Sequence, residues 1–313
     1  MVKPKSVLIT GATTPLGARV CAELTRLGVA VLATGIEPDA EARRLFSSAV
    51  NYRRVDLAKS RDVRDLLLDA VVSDDIDAVV HTGFHRKLEG EDARIHSRNV
   101  ESLRLLIALC EAQPTVRRLV VRSSADVYRV DHALPCMVGE HHPLSFAANA
   151  PQWLRNRVEA DMLACSRMGM SALEIVVLRC AEIVEPDMGS QLYDYLNSRV
   201  CLRPMGFDPM VNVLALEDAT DAFVNVIMQE QCQGVFNIPG AATLPLSALI
   251  RSRQRLDVPV PGPLLGPLYA LRKTVTGTDF SYAMSGERLH YPAILDGAAA
   301  ARMLGYKPVV RSI

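Results

Sequence analysis

Val7-Leu8-Ile9-Thr10-Gly11-Ala12-Thr13-Thr14-Pro15-Leu16-Gly17 is the stretch on which the reading of this 313-residue chain turns. Residues 7–9 form an apolar run too short for a helix and bounded by turn residues, which predicts a buried parallel strand. Val20, Leu24 and Leu27 then fall at helical spacing across residues 18–28. Strand, glycine loop and helix, in that order, present backbone N–H groups and a helix N-terminus to a pyrophosphate. Gly11 can take the turn's unusual dihedrals, and Gly17 lets helix and strand pack closely. Thr14 stands where a dinucleotide fingerprint has its middle glycine. The motif is therefore degenerate, and a plain tight turn is the competing reading.

The rest of the chain repeats the alternation. Residues 30–33, 52–55, 78–81, 118–121 and 175–178 read as further strands, and 61–72, 95–112 and 153–168 as helices. Strands separated by helices give an α/β fold, a doubly wound parallel Rossmann sheet with helices on both faces. Beyond Pro186 the regularity fades, and Pro and Gly crowd residues 258–267. The expected division is a cofactor-binding domain of residues 1–186 with 209–238, and a smaller C-terminal substrate lobe of 187–208 with 239–313. The apolar stretch 261–271 is expected to begin a core helix, with a substrate lip or a membrane-touching patch as the alternatives.

Composition excludes several function classes. Thirty-five basic residues balance thirty-five acidic ones, so no global field favours nucleic acid or an anionic membrane. No apolar run reaches spanning length, and residues 7–9 enter the glycine loop without a signal-peptide core. Seven cysteines, scattered and without a Cys-x-x-Cys pair, predict reduced core thiols and a cytoplasmic setting, with neither a disulfide frame nor a metal site.

At the carboxyl ends of the strands, where such sheets bind ligands, the chain resembles the extended short-chain dehydrogenase/reductase family in its NAD-dependent epimerase/dehydratase branch. The resemblance runs through the glycine loop, Val55-Asp56-Leu57, Val79-Val80-His81-Thr82-Gly83, Asn99-Val100, Ser123-Ser124-Ala125-Asp126-Val127-Tyr128, Glu140 with Pro143, Leu178-Arg179, Glu217-Asp218-Ala219, Gly234-Val235-Phe236-Asn237-Ile238, and Leu304-Gly305-Tyr306-Lys307-Pro308. It implies a dinucleotide held by Gly11, Thr13, Thr14, Pro15, Leu16 and Gly17. It also implies that Asp56 and Leu57 meet adenine, that Thr82 and Gly83 pass the ribose and pyrophosphate, and that Asn99 steadies the active-site region. The acid that reads the adenosine ribose falls in register on Gly35, with Glu37 two residues on, so NAD and NADP both stay open. The resemblance further implies a homodimer built on residues 95–112 and 153–168.

The family's chemistry passes hydride between nicotinamide and a substrate carbon, with a Tyr as acid/base, a Lys four residues later and a Ser that orients the substrate oxygen. Ser124 matches the Ser. The expected Tyr falls on Trp153 and the expected Lys on Arg157. No threading repairs this, because residues 129–192 contain no Tyr and 88–272 no Lys. Tyr269 and Lys273 have the spacing but lie in the distal lobe. Arg157 could still bond the nicotinamide ribose, although a guanidinium never gives up its proton. A positioned acid/base contributes about 10²–10⁴-fold, and Asp126, Tyr128, His141 and His142 are the substitutes at hand. Substrate-facing residues by the resemblance are Ser124, Arg179, Glu182 and Val184, with Arg203 as an anion contact.

Three functional readings remain open from sequence. The first is a dinucleotide-binding protein with the usual chemistry lost, acting as sensor, regulatory subunit or scaffold. The second is a working epimerase, dehydratase or reductase with a substitute proton relay and an unknown small-molecule substrate. The third is an interaction protein that no longer binds cofactor.

Overall fold

The computed structural model describes residues 4–70, 75–84, 95–146, 150, 152–277 and 279–310. Strand β1 (Ser6–Thr10) is buried along its whole length, and the sheet grows to either side of it. The sheet's other strands are β2 (Ala30–Gly35), β3 (Asn51–Arg54), β4 (Ala78–His81), β5 (Arg118–Ser124), β7 (Glu174–Cys180) and β10 (Gly234–Ile238). The spatial order is β3-β2-β1-β4-β5-β7-β10, with every neighbouring pair parallel. The predicted strands are all present, and β2, β5 and β7 run further than their apolar centres. A seventh strand, β10, closes the edge where the apolar pattern alone indicates none. The short strands pair outside this sheet: β6 (Met137–Val138) with β13 (Ile294–Leu295), β8 (Val200–Pro204) with β12 (Leu256–Val260), and β9 (Met210–Val213) with β11 (Ala242–Pro245).

Burial on both faces explains why β1 is apolar without alternation. Val7 and Ile9 face one core with helix α1 (Pro15–Arg26), and Leu8 faces the other. A short α2 (Asp39–Ala42) follows β2, and α3 (Ser60–Asp65) follows β3. Residues 66–70 continue α3 as a wider π turn, and the last residues of the predicted helix 61–72 lie outside the described residues. The predicted helix 95–112 likewise opens with a π turn at Ser97–Glu101, which leads into α4 (Ser102–Ala112). Helix α5 (Gln152–Arg167) supplies Trp153, Leu154 and Val158 to the first core and Ala164 to the second.

Beyond β7 the chain forms α6 (Gln191–Leu196), α7 (Leu216–Met228), α8 (Leu246–Ser252), α9 (Gly262–Thr276), α10 (Tyr282–His290) and α11 (Ala298–Leu304). Helix α7 returns to pack on α1, α11 packs on β10 and α7 with Ala300 and Leu304 in the first core, and α6, α8, α9 and α10 gather round a third core. Tyr269 there stacks on Tyr282 at 5.4 Å and tilts against Phe280 at 4.9 Å between ring centroids. Tyr269 also donates its hydroxyl to Leu202 O at 2.6 Å, so its spacing to Lys273 is structural. The stretch 261–271 enters α9 as expected, with Leu265 and Tyr269 buried, but Leu264, Leu268, Leu271 and Val275 leave an exposed apolar stripe. Among the described residues no helix is long and apolar enough to cross a membrane.

Candidate functional site

The glycine loop has two close approaches. Gly11 has φ +70°, and a Cβ there would stand 2.5 Å from the Cα and N of Gly83. A Cβ on Gly17 would stand 2.5 Å from Gly11 O. Both positions exclude a side chain. Thr14 is not strained in place of a third glycine. It sits at φ −67°, ψ 154° and caps α1, accepting from Gly17 N–H at 3.1 Å while its hydroxyl donates to Gly11 O at 2.8 Å. Pro15 follows at the first helical position, where its missing N–H costs nothing. Leu16 puts its side chain in the core, so it has only backbone to offer a phosphate.

At the end of β2, Thr13 and the Glu37 carboxylate converge on Gly35. A Cβ on Gly35 would lie 2.8 Å from Thr13 Oγ1 and from Glu37 Oε2. That Oε2 is buried and has no hydrogen-bond partner among the described residues. Tyr52 OH donates to Glu37 O at 2.8 Å and fixes the turn. Sequence reasoning left Glu37 unassigned; the convergence on a glycine singles it out.

Asp56 accepts from Ala58 N–H at 3.1 Å and faces Arg98 at 3.5 Å. Burial opposes its charge, but the Ala58 N–H and Arg98 hold the carboxyl below its ordinary range. Arg98, on the π turn, had no signal in sequence. Leu57 is half-buried against the second core. Thr82 is fully buried, and its hydroxyl donates to Thr10 O and Gly11 O, both at 3.0 Å. It holds the glycine loop to β4, with its side chain on that backbone. Asn99 is buried within the π turn, the kind of irregularity frequent at functional sites.

The expected reaction centre lies at the end of β5 and in the turn that follows. Ser124 caps the short 3₁₀ turn Ala125–Val127, accepting from Asp126 N–H at 3.2 Å. Arg157, at the expected Lys, donates to Asp126 Oδ2 at 2.5 Å. Its guanidinium lies 4.2 Å from the Phe84 ring and 5.2 Å from that of Trp153, the residue at the expected Tyr. Arg288, from α10, approaches Asp126 at 3.9 Å. Glu182, just past β7, lies beside the same carboxylate and accepts from the Ser190 hydroxyl. Two carboxyls thus share a buried site. Burial first, then Asp126, pushes Glu182 up to about 8, while Arg157 and Arg288 overcome burial and hold Asp126 below the usual range.

The other expected substitutes are placed elsewhere. Tyr128 OH donates to Asn237 Oδ1 at 2.6 Å inside the core, and burial raises its phenol. His142 engages Arg129 O at 2.9 Å in a loop, and His141 is exposed. Arg179 corrects the substrate-facing expectation. It is buried, with bonds to Asp161 at 2.6 and 3.0 Å and to Tyr128 OH at 3.0 Å. Arg203 corrects the anion-contact expectation, because it pairs with Asp257 at 2.7 Å and donates to Phe207 O at 2.8 Å. Val184 is buried in the third core. Of the substrate set, Glu182 alone lines the cavity between the sheet end and the third core, together with Ala125, Ser285 and Arg288. Among the described residues no group of three His, Cys, Asp or Glu could hold a metal.

A seven-stranded parallel sheet with a glycine turn after β1 is a doubly wound Rossmann fold, here with a serine at the end of β5. The chain belongs to the NAD-dependent epimerase/dehydratase family, whose model matches residues 7–194. It is 28% identical to uncharacterized proteins of Mycobacterium tuberculosis and Mycobacterium bovis, covering 97% of this chain and 80% of theirs. It shares its fold with the Bordetella bronchiseptica enzyme WbmG in complex with NAD, at a TM-score of 0.71 and 16% identity over 99% of this chain and 90% of that one. UDP-glucuronic acid 4-epimerase from Bacillus cereus, also in complex with NAD, gives a TM-score of 0.70 at 16% identity over 97% and 94%.

Proposed function

We propose that this chain binds NAD at the carboxyl ends of β1, β2 and β4, and that the family's Tyr/Lys oxidoreductase chemistry is lost. The role left is that of a cofactor-loaded sensor, regulatory subunit or scaffold. The observation that supports this reading is that Arg157, the residue expected in place of the Lys, is ion-paired to Asp126, with Trp153, expected in place of the Tyr, against its guanidinium. Neither side chain releases a proton near neutral pH. The close packing of Gly11, Gly17 and Gly83 supports retained binding, as does the unpartnered Glu37 Oε2. Thr13, Thr14, Pro15 and Leu16 would line the pyrophosphate, Asp56 and Leu57 the adenine, and Gly83, Asn99 and Arg157 the nicotinamide side. Glu37 favours NAD over NADP, since its carboxylate accepts from a ribose hydroxyl and repels a 2′-phosphate. When bound, the cofactor supplies hydride exchange; the protein's residues supply position and, at Ser124, a hydroxyl for a ligand oxygen.

The proposed units are residues 1–186 with 209–238 for cofactor and 187–208 with 239–313 for ligand. A reducing, cytoplasmic setting suits seven free cysteines, five of them buried. A homodimer through α4 and α5 would cover Phe146 and Met162, which stand exposed beside Val158. Sedimentation of Met162→Lys as a monomer beside a dimeric parent tests that.

Thermal shift with NAD⁺, NADH, NADP⁺ and NADPH tests the main reading. A ligand at a hundred times its Kd adds about 2.7 kcal/mol to stability. The expected result is a shift with the NAD pair, with no bound-cofactor reduction across sugar nucleotides, sugars and hydroxy-lipids. No shift with any dinucleotide refutes it in favour of an interaction protein. The buried Asp126–Glu182 pair favours a second reading, an active epimerase, dehydratase or reductase on a sugar-nucleotide-like or hydroxyl substrate. Turnover that vanishes in Ser124→Ala would establish that one.

A further inference from the structure

The cavity beside the reaction centre has most of its polar lining already engaged. Asn212 donates to Gly240 O at 2.9 Å and Thr243 Oγ1 at 2.7 Å, and accepts from Gly240 N–H at 2.7 Å. Gln191 accepts from Ser281 N–H at 2.7 Å and donates to Asp279 O at 3.1 Å. Tyr195 OH donates to Leu202 O at 3.2 Å. Arg288, the cationic side chain in the lining, donates through Nη2 to Ala125 O at 2.8 Å and Tyr128 O at 2.9 Å, and its Nε faces the Asp126 carboxylate at 3.9 Å. Between these groups the wall is apolar, with Leu192, Met210, Val211, Leu246, Phe280 and Leu289.

Two polar points are differently placed. Ser285, on α10, is only 5% exposed, and its Oγ has no hydrogen-bond partner among the described residues. A buried hydroxyl left unbonded is costly, and a ligand oxygen would relieve it. Glu182 is partly open to the cavity, tied to Ser190 and beside Asp126. A nucleoside diphosphate brings at least two negative charges and calls for arginines or lysines with free donors. Arg179 and Arg203 are paired elsewhere and do not line this space.

We infer that this cavity takes a neutral, largely apolar molecule with one hydroxyl or carbonyl end, whose oxygen meets Ser285 Oγ and the Glu182 carboxyl. Burial and the neighbouring Asp126 favour the neutral acid on Glu182 at neutral pH, so it can donate as well as accept. The ligand's place beside the nicotinamide rests on the cofactor-binding reading above; the cavity's chemistry does not.

Calorimetric titration of the full chain, with and without saturating NAD⁺, tests this with dodecanol, menthone and testosterone against UDP and UDP-glucose. At least one neutral probe is expected to bind, with neither UDP nor UDP-glucose doing so. Ser285→Ala removes a hydroxyl that bonds nothing among the described residues, so the fold is kept, and it should weaken that probe about tenfold. Failure of all three probes, binding of UDP-glucose, or an unchanged probe affinity in Ser285→Ala would each overturn the inference. A separate NAD⁺ titration keeps the two proposals apart. Loss of NAD⁺ binding alone defeats the cofactor reading, and loss of probe binding with NAD⁺ retained defeats only this one.

Discussion

Replacing Arg157 by Met isolates what holds the reaction centre in place. The Met side chain keeps apolar contact with Phe84 and Trp153 but removes the cation bonded to Asp126 at 2.5 Å. Asp126 remains, its side chain 1% exposed, with Glu182 against it and Arg288 at 3.9 Å. Removing one partner of a buried pair costs about 3–5 kcal/mol. Arg288 compensates in part, so a loss of about 3 kcal/mol is expected in urea unfolding at about pH 7. The pH dependence carries the sign. In the parent, Asp126 is held below its unfolded value, so its contribution is present at neutral pH and is lost only as pH falls through that lowered value. In the variant burial is no longer opposed by Arg157, and the carboxyl rises above its unfolded value. The penalty is then full at neutral pH and relieved as pH falls through the raised value. The gap between parent and variant must therefore narrow towards acid. Arg157→Lys, which keeps a cation, should restore part of the loss. A Met variant within about 0.5 kcal/mol of the parent, or a gap independent of pH, would refute the reasoning.

Gly11→Ala should cost about 1–2 kcal/mol from its positive φ alone, more from the contact with Gly83, and weaken NAD⁺ at least tenfold by titration; unchanged affinity would place the cofactor elsewhere. Glu37→Gln should narrow the preference for NAD⁺ over NADP⁺ by about tenfold, the ratio that ~1.4 kcal/mol sets, and equal ratios in parent and variant would remove Glu37 from the ribose site. Glu182 has its folded value raised to about 8, so the parent's stability from this group is full below the unfolded carboxylate range and falls as pH rises through about 8. Glu182→Gln should flatten that slope in unfolding curves taken across the window, and a slope that survives the substitution would contradict the assignment.

Most of the sheet was legible because β1, β2, β4, β5 and β7 centre on short apolar runs and the loop after β1 carries glycine where backbone meets backbone, whereas the edge strand β10 gave no such signal. That residues 129–192 hold no Tyr and 88–272 no Lys is read by counting over a long window, and the proposed loss of the Tyr/Lys chemistry rests on that count. The cluster round Asp126 was not legible. Arg288 reaches it from a helix more than 160 residues away, and Glu182 from beyond a different strand; no local pattern encodes either approach. Arg179 shows how narrow the margin is. It ends the sixth strand in sequence, where ligand contacts are expected, yet the register pairs it with Ser123, while Ser124 pairs with Cys180. Side chains alternate faces along a strand, so Arg179 shares its face with Ser123, and both meet Asp161 on α5. A one-residue slip exchanges the faces. Distance along the strand puts Arg179 near the site, and parity turns it away; Glu182, past the strand's last residue, is free of that alternation and reaches the cavity instead.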